Sequence, residues 1–328
     1  MHKCGDIMAK QNSLHSADFI NEKEEILILM STYNGEKYIE QQIESIEHQK
    51  CDIPISILIR DDGSEDNTIK IIDKLTKKYK NIELIKCENI GCTNSFFELF
   101  KLAPKNYKYY AISDQDDIWL EDKVQRGIDK LNNEDNKKPL LYGSCSELMN
   151  NNGDILGTTQ KVNKKISLMN TIIQNFIPGH SQIFNTKLLE YLQQNVDPSQ
   201  LYVYDFWITN VAMLYGKIIF DNKPGTHYRI HDMNTIGYGK NKIQWIKERL
   251  NRFNKGDGDK IISQINYFYE LYKNDMNDSD RKQISKIFMM NKHISKRIQF
   301  VFTTKVYRQK KIETIMFKLA YLFGKYKN

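Results

Sequence analysis

Three carboxylates lie within four residues, directly after a short apolar and aromatic segment. The segment is Tyr-Lys-Tyr-Tyr-Ala-Ile at residues 107–112, and the acids that follow are Asp114, Asp116 and Asp117. Its composition predicts a buried strand. Ionised carboxylates beside a core repel one another and lose hydration, so a divalent cation is a natural neutraliser, and oxygen ligands suit Mg²⁺ or Mn²⁺. The alternative is a strand-end turn whose acids cap a helix that begins near residues 120–122.

The segment that positions this cluster is the fourth of four predicted strands. Each of the first three is followed by a polar loop and a helical pattern. The strands are predicted at residues 26–30, 55–59, 82–85 and 107–112, the loops at 31–35, 60–64 and 89–94, and the helices at 36–49, 67–79 and 95–101. The repetition predicts an α/β fold with a mostly parallel sheet flanked by helices. Ligands of such sheets bind outside the carboxyl ends of the strands. The three polar loops and the acid cluster after the fourth strand all fall at such ends.

A single carboxylate, Asp205, lies in the aromatic and aliphatic stretch at residues 202–208, which opens a helix predicted to end at Tyr215. A partly buried Asp has a raised pKa unless it is paired, which suits a general base. The alternative is that Asp205 is an ordinary helix N-cap. Between this stretch and the acid cluster, the patterns predict a strand, a hairpin turn, a helix, a polar loop and a helix. These lie at residues 140–144, 150–154, 167–176, 176–182 and 187–194.

After a predicted strand at residues 217–220, the alternation of a second extended segment places His227, Arg229 and His231 on one face. Lone histidines are more often structural than metal-bound. One cation and two imidazoles on one face nevertheless suit an anionic diphosphate and its metal.

The composition limits the class of protein. The 328 residues contain 48 Lys and Arg against 41 Asp and Glu, a net charge of +7, and their length permits a sizeable core. The five cysteines form no Cys-x-x-Cys pair, so a zinc site is not expected and reduced thiols in a cytoplasmic protein are the simplest interpretation. No apolar run approaches the length of a membrane span, and residues 1–23 are interpreted as a loose leader.

The charge excess is concentrated in residues 239–328, where basic and aromatic residues alternate with helical spacing, with a break between helices at residues 256–258. Basic amphipathic helices fit the surface of an anionic membrane. They also fit packing on the catalytic part or on another subunit, and the sequence leaves both open. The segment has neither a zinc pattern nor a Gly-rich aromatic sheet motif, so nucleic acid is not an expected partner.

Three motifs together resemble family 2 glycosyltransferases of GT-A fold. They are Ser-Thr-Tyr-Asn-Gly at residues 31–35, Asp-Asp-Gly-Ser at 61–64 and Asp-Gln-Asp-Asp-Ile-Trp at 114–119. With Tyr-Arg-Ile-His at residues 228–231 and Asn234 downstream, the chain is especially similar to bacterial rhamnosyltransferase-like enzymes that build capsule, O-antigen or cell-wall polysaccharide. The resemblance covers about residues 25–238 and implies a catalytic domain at 24–238. Each motif alone is weak, but their order at strand ends is specific.

The resemblance also implies roles for individual residues. Thr32, Tyr33, Asp61, Asp62 and Asn94 would line the pocket for the base and ribose of a UDP- or dTDP-sugar. The diphosphate and its metal would meet Asp116 as the main metal ligand, Asp114 beside it, His231 and Arg229.

Asp205 would be the general base for the acceptor hydroxyl. Many family members have Glu-Asp where this chain has Tyr204 and Asp205, so no Glu is present to contact a ligand or acceptor. The implied reaction is a metal-dependent, inverting hexosyl transfer to a saccharide acceptor that is lipid-linked, at the inner face of the cell membrane. The competing hypotheses are a sugar nucleotidyltransferase, which would normally show a Gly-rich basic loop after the first strand, and a non-enzymatic membrane-associated scaffold.

Overall fold

Four apolar runs form the parallel half of a nine-stranded sheet. The computed structural model describes residues 23–194, 196–230 and 257–326. The parallel strands are β1 (Lys23–Thr32), β2 (Ile55–Asp61), β3 (Ile82–Lys86) and β4 (Tyr107–Ser113). They lie in the order β3-β2-β1-β4, so β1 is central and both of its neighbours end beside it. The predicted α/β sheet is confirmed.

The connections between these strands are helices whose apolar faces cover the sheet. They are α1 (Ile39–Glu47), α2 (Thr68–Lys78) and α3 (Cys92–Leu102), and α4 (Lys123–Asn132) follows β4. In α1 the buried side chains include Ile39, Ile43 and Ile46, at the spacing of one helical face. This half of the chain therefore follows from hydrophobic periodicity alone.

The second half of the sheet is mixed. Its strands are β5 (Ile118–Trp119), β6 (Leu140–Met149), β7 (Ile155–Thr158), β8 (Ile183–Asn185) and β9 (Lys217–Arg229). β8 lies antiparallel between β4 and β6, β9 is parallel to β6, and β5 pairs antiparallel with β9 at the edge. The strand predicted at residues 217–220 thus continues to Arg229, because β6 supplies a partner along that length.

The remaining helices mostly match the predictions. They are α5 (Leu168–Thr171), α6 (Thr186–Leu192), α7 (Tyr204–Tyr215), α8 (Asp257–Tyr272), α9 (Asp278–Met289), α10 (Ile294–Thr303) and α11 (Lys311–Leu322). The hairpin turn predicted at residues 150–154 lies between β6 and β7. The helix predicted at residues 167–176 is wrong beyond one turn, since Asn170 and Gln174 use their side chains to bind the segment around Gln309 instead.

The C-terminal helices share one hydrophobic core with α3, α6 and α7. Trp207 of α7 is fully buried and contacts the rings of Tyr267, Phe268 and Tyr272 of α8. Packing on the catalytic part is therefore confirmed for the inward faces of these helices. The leader up to residue 22 and the boundary predicted at 238/239 lie outside the described residues and stay predictions. Within the described ranges, no helix combines the length and apolarity that crossing a membrane requires.

Candidate active site

The loops that follow β1, β2 and β4 meet at one edge of the sheet. Thr32 at the end of β1 is the register partner of Asp61 at the end of β2. On the other side of β1, Met30 pairs with Ser113, the last residue of β4. Because parallel strands end at the same edge, the three motifs found in the sequence become neighbours in space.

The loop after β1 is held by the loop after β2 and exposes one aromatic ring. Thr32 Oγ1 donates a 2.9 Å hydrogen bond to Asp61 Oδ2, which also accepts one of 2.6 Å from Ser64 Oγ. Asn34 adopts a left-handed backbone with φ 48°, and its N–H donates to Ser64 Oγ at 2.9 Å. Tyr33 between them is 46% exposed. Thr32 and Asp61 are buried, so this loop offers a ring rather than a carboxylate to a ligand.

Asp62 is buried and holds the loop that leads into α3. Its carboxylate forms an ion pair with Arg60 at 2.5 Å and accepts the backbone N–H groups of Ile90 at 3.0 Å and Gly91 at 2.9 Å. Asn94, in the first turn of α3, donates to the carbonyl of Ile90 at 2.7 Å. The two acids of the second motif therefore support the loops that carry Tyr33 and Asn94.

The acid loop after β4 is attached to the first loop by its middle residue. The Gln115 amide accepts the N–H of Tyr33 and donates to its carbonyl, both at 2.9 Å. A Cβ at Gly35 would overlap this amide, which explains a glycine at that position. Asp114 and Asp116, on either side of Gln115, are partly exposed. The loop is thus anchored through Gln115, while the residues on either side of it keep part of their surface exposed.

Arg229 is buried and braces the acid loop from the opposite strand. Its Nε donates to the carbonyl of Asp116 at 2.9 Å, another guanidinium nitrogen donates to Gln41 Oε1 at 2.7 Å, and its backbone N–H donates to Asp117 Oδ1 at 3.1 Å. Arg229 therefore lies at the predicted site, where hydrogen bonds to the acid loop and to Gln41 hold it in place.

His227 lies two residues before Arg229 on β9, and its ring contacts a side chain of β6. Its Nδ1 is 3.0 Å from Glu147 Oε2 of β6. His231, which the sequence predicted as a metal ligand, lies outside the described residues and stays a prediction.

A buried layer beneath the acid loop was missed by sequence reasoning. His180 Nδ1 lies 3.6 Å from Asp114 Oδ2 and 3.7 Å from Asp117 Oδ2, while its Nε2 is 2.8 Å from Ser146 Oγ. Asp117 Oδ2 and His180 Nδ1 are buried and have no hydrogen-bond partner among the residues that the structure describes. Ligand atoms of Asp114, Asp117 and His180 all lie within 4.8 Å of one another, so this donor set fits a divalent cation.

A buried lysine, Lys123, lies next to these acids. Lys123 Nζ donates to the carbonyl of His180 at 2.6 Å and lies 3.4 Å from the Trp119 ring centroid. Burial lowers the pKa of Lys123, against the attraction of Asp117 and Asp114. Burial raises the pKa of Asp117, an effect that His180 opposes. Burial by itself would lower the pKa of His180. The negative charges of Asp117 and Asp114 together have the larger effect, so the pKa of His180 is raised.

The acid cluster does not cap the following helix. The residue at the N-cap of α4 is Asp122, which makes no side-chain cap hydrogen bond. Asp122 instead pairs with Arg126 at 2.9 Å. The alternative of a capping role for Asp114, Asp116 and Asp117 is therefore not supported.

Asp205 lies in the first turn of α7, one residue past the helix start. The N-cap is Val203, without a side-chain cap bond, so the N-cap interpretation of Asp205 is wrong. Asp205 Oδ2 accepts the N–H of Gly179 at 3.1 Å, and its side chain stays partly exposed. A Cβ at Gly179 would overlap the Tyr204 hydroxyl, so this loop must carry a glycine to approach α7.

The surroundings of Asp205 favour the neutral carboxyl. Burial raises its pKa to about 6, the charge of Asp114 adds to the effect, and a hydrogen bond from Asn175 opposes it. A carboxylate with this pKa is largely ionised at neutral pH yet basic enough to take a proton.

The residues before Asp205 are positioned by the C-terminal helices. Gln264 of α8 is buried, and its Oε1 accepts the N–H of Tyr202 at 2.6 Å. Tyr204 stacks on Phe96 with ring centroids 4.1 Å apart, and its hydroxyl lies 3.5 Å from Asp114 Oδ1. The aromatic residue that replaces the expected Glu thus connects α7 to the acid loop.

The carboxylates of the site also affect the thiol of Cys92. Cys92 is the first residue of α3, and its pKa is raised to about 12, first by the surrounding protein atoms and then by four carboxylates. These are Asp114, Asp205, Asp62 and Asp116. Acids from three separate segments, the loops after β2 and β4 and the first turn of α7, therefore act on the first residue of α3.

Comparisons with known proteins agree with this arrangement. The sequence profile described as "Glycosyl transferase family 2" matches residues 27–192. The dTDP-rhamnosyl transferase RfbG of Shigella flexneri is 44% identical over 106 residues, which cover 31% of this chain and only 36% of that relative. An uncharacterized glycosyltransferase of Methanocaldococcus jannaschii is 29% identical over 237 residues, covering 68% of this chain and 80% of the relative.

Solved structures support the fold. S. aureus TarS 1–349 in complex with UDP-GlcNAc superposes with a TM-score of 0.55 and 19% identity, covering 92% of this chain and 81% of that chain. The predicted GT-A-like fold is thereby confirmed. The family match also excludes the two competing hypotheses, a sugar nucleotidyltransferase and a non-enzymatic scaffold. The chain belongs to glycosyl transferase family 2 and is a glycosyltransferase.

Proposed function

We propose that the protein transfers a sugar from a nucleotide-sugar donor to a hydroxyl group of a lipid-linked saccharide, with inversion at the anomeric carbon. The observation that carries this proposal is the position of the partly exposed Asp205 in the first turn of α7, next to Tyr204, whose hydroxyl lies 3.5 Å from Asp114 of the acid loop. A general base must be ionised at neutral pH and reachable by the acceptor. Asp205 meets both requirements at the edge where the donor motifs meet.

The donor would be a UDP- or dTDP-sugar, and the Shigella relative favours dTDP-rhamnose. The exposed ring of Tyr33 is suited to stack on the base, and the partly exposed Asn94 would contact the nucleotide from the first turn of α3. Thr32, Asp61 and Asp62 would shape this pocket from beneath, since their polar groups hold the loops that carry Tyr33 and Asn94.

Mn²⁺ or Mg²⁺ would be held by Asp116 and Asp114, whose carboxylates are partly exposed, with His231 as a further proposed ligand. When bound, the cation would neutralise charge that develops on the departing diphosphate. Asp117 and His180 have ligand atoms within 4.8 Å of those of Asp114, so they would add to the ligand set of the same cation from beneath the loop, while Arg229 would position the loop through its backbone.

Asp205 would take the proton of the acceptor hydroxyl as that oxygen attacks the anomeric carbon. The new carbon–oxygen bond forms on one face while the bond to the diphosphate oxygen breaks on the other. A single displacement inverts the anomeric centre, and the nucleoside diphosphate leaves with the electron pair. No second catalytic carboxylate is needed, because the donor is already activated.

A lipid-linked acceptor would place this reaction at a membrane surface. We therefore propose a peripheral position at the inner face of the cell membrane, in the synthesis of a bacterial surface polysaccharide. The similarity to a dTDP-rhamnosyl transferase and the basic C-terminal helices support this setting.

A donor-hydrolysis screen tests the proposal. Full-length protein would be incubated with dTDP-rhamnose, UDP-glucose, UDP-galactose and their N-acetyl relatives, each with Mn²⁺, with Mg²⁺ and with EDTA. We expect metal-dependent release of nucleoside diphosphate from one donor, with dTDP-rhamnose first. Turnover that EDTA leaves unchanged would contradict the metal assignment, and no turnover of any donor would contradict the donor class.

A further inference from the structure

The largest exposed apolar surface lies at the far end of the described chain. Of the thirteen large hydrophobic residues that are exposed in the described ranges, eight fall within residues 289–323. On α10 they are Ile294, Ile298 and Phe302, and on α11 with the residue after it they are Ile312, Ile315, Leu319 and Phe323. Spacings of three and four place each set along one side of its helix. We call these seven residues the outer surface.

The opposite sides of the same helices are fixed to the protein. Phe300 of α10 stacks on Tyr321 of α11 with ring centroids 3.9 Å apart, and both are fully buried. Glu313 is buried and accepts a 3.1 Å hydrogen bond from Gln174. The outer surface is therefore held rigidly, although apolar exposure on this scale is uncommon on an isolated soluble protein.

The charge around the outer surface is almost all positive. Residues 291–326 contain nine Lys and Arg against one carboxylate, the buried Glu313. Exposed lysines include Lys310 and Lys311 at the start of α11. By contrast, residues 257–290 of α8 and α9 contain five Lys and Arg against six acids. The positive charge thus accompanies the apolar residues rather than the helices in general.

We propose that the outer surface docks on an anionic lipid bilayer, with its apolar side chains in the interface and its lysines at the headgroups. Apolar burial and attraction to anionic lipids act together on such a surface. A second copy of the chain is a poorer occupant, because a two-fold contact would place the same positive patch against itself. This inference deepens the proposed function, since it assigns the residues that would bring the site to a lipid-linked acceptor.

Deleting these helices is not a valid test, because Phe317, Tyr321 and Tyr326 are buried in the core and their loss would disturb folding. Point variants of exposed residues avoid this problem. The apolar variant is Phe302→Ser with Phe323→Ser, at residues that are 83% and 72% exposed. Its matched control is Leu156→Ser with Leu271→Ser, exposed positions outside the outer surface.

The charge variant is Lys310→Glu with Lys311→Glu. Its matched control is Lys77→Glu with Lys80→Glu, two exposed lysines in and just after α2. Both pairs make the same change in net charge, so only the position of the change differs.

Binding would be measured by co-sedimentation with vesicles of phosphatidylcholine alone or with about a third phosphatidylglycerol. We expect the full wild-type chain to bind the anionic vesicles and to be released from them at high salt. The affinity of both test variants should be lower by about tenfold or more, whereas both controls should bind like the wild type. Equal binding to neutral vesicles, or test variants that bind like the wild type, would overturn the proposal.

Two further measurements separate this surface from its alternatives. Analytical ultracentrifugation should find a monomer, whereas a dimer that both test variants dissociate would assign the outer surface to self-association and overturn the proposal.

Donor hydrolysis without vesicles should be unchanged in the test variants, and Asp116→Asn should bind vesicles like the wild type. Failure of vesicle binding with intact donor turnover therefore rejects the surface alone, and the reverse result rejects the proposed function alone.

Discussion

Two acidic motifs, at the ends of the strands β2 and β4 on either side of β1, have similar sequences and different surroundings. Asp61 and Asp62 are buried, and their carboxylates accept hydrogen bonds from backbone N–H groups, hydroxyls and Arg60. Asp114 and Asp116 follow β4 in the same way but are partly exposed. The buried acids hold the loops in place, whereas the partly exposed acids can be reached by a substrate or cation. The following variants test this division.

Asp116→Asn should have the largest effect on catalysis. A neutral amide cannot balance a cation held against a diphosphate, so metal-dependent donor turnover should fall roughly a thousandfold or more. The thermal midpoint should change little, since the side chain is partly exposed. Turnover at limiting Mn²⁺ would be compared with that of the wild type, and an unchanged rate would reject Asp116 as a ligand.

Asp205→Asn should lower transfer to the acceptor by about a hundredfold or more, the usual scale for a positioned base. Nucleotide affinity, measured by calorimetry, should be close to that of the wild type, because the base faces the acceptor. Since Val203 and not Asp205 is the N-cap, the helix should remain intact. Loss of nucleotide binding in this variant would instead place Asp205 in the donor pocket.

The pH dependence of transfer should report the same carboxyl. Because burial raises its pKa to about 6, the ionised fraction falls as the pH drops below that value. The rate should then decrease about tenfold per pH unit, and it should be level just above pH 7. Asp205→Asn should lack this acid limb, so an identical pH profile in the variant would show that another group titrates.

Asp62→Asn should mainly affect stability. The change leaves the buried Arg60 without its ion pair and turns an amide toward the N–H groups of Ile90 and Gly91. Breaking a buried pair in this way costs about 3–5 kcal/mol of unfolding free energy, measurable by urea denaturation. The exposed Asp52→Asn is the control and should stay within about 0.5 kcal/mol of the wild type. A stable Asp62→Asn protein that has lost nucleotide binding would place Asp62 with the substrate-facing acids.

Gln115→Leu should have the smallest effect. It removes both hydrogen bonds to the backbone of Tyr33, a net loss that corresponds to roughly tenfold weaker nucleotide binding. The chemical step should be nearly unchanged, so KM should rise while kcat stays within about threefold. A fall in kcat at constant KM would mean that Gln115 acts on the reacting groups and not through the first loop.

Much of the catalytic half could be predicted from local sequence. Continuous apolar runs at β1, β2 and β4 and the polar loops behind them are properties of short segments, and parallel strands end at a common edge. The antiparallel β8 and the extension of β9 could not be predicted in this way, because both depend on partners far along the chain.

The sequence by itself determined the family, the order of the first four strands and their loops, and the set of acids that could do chemistry. Only the tertiary structure decided which of these acids are buried and which are partly exposed. Lys123 and His180 are 57 residues apart, yet Lys123 donates a hydrogen bond to the His180 carbonyl in the buried layer under Asp114. Likewise, Gln264 of a distant helix holds the backbone before Asp205. Burial and long-range hydrogen bonds set the charge and exposure of each carboxylate, and neither is encoded in a local motif.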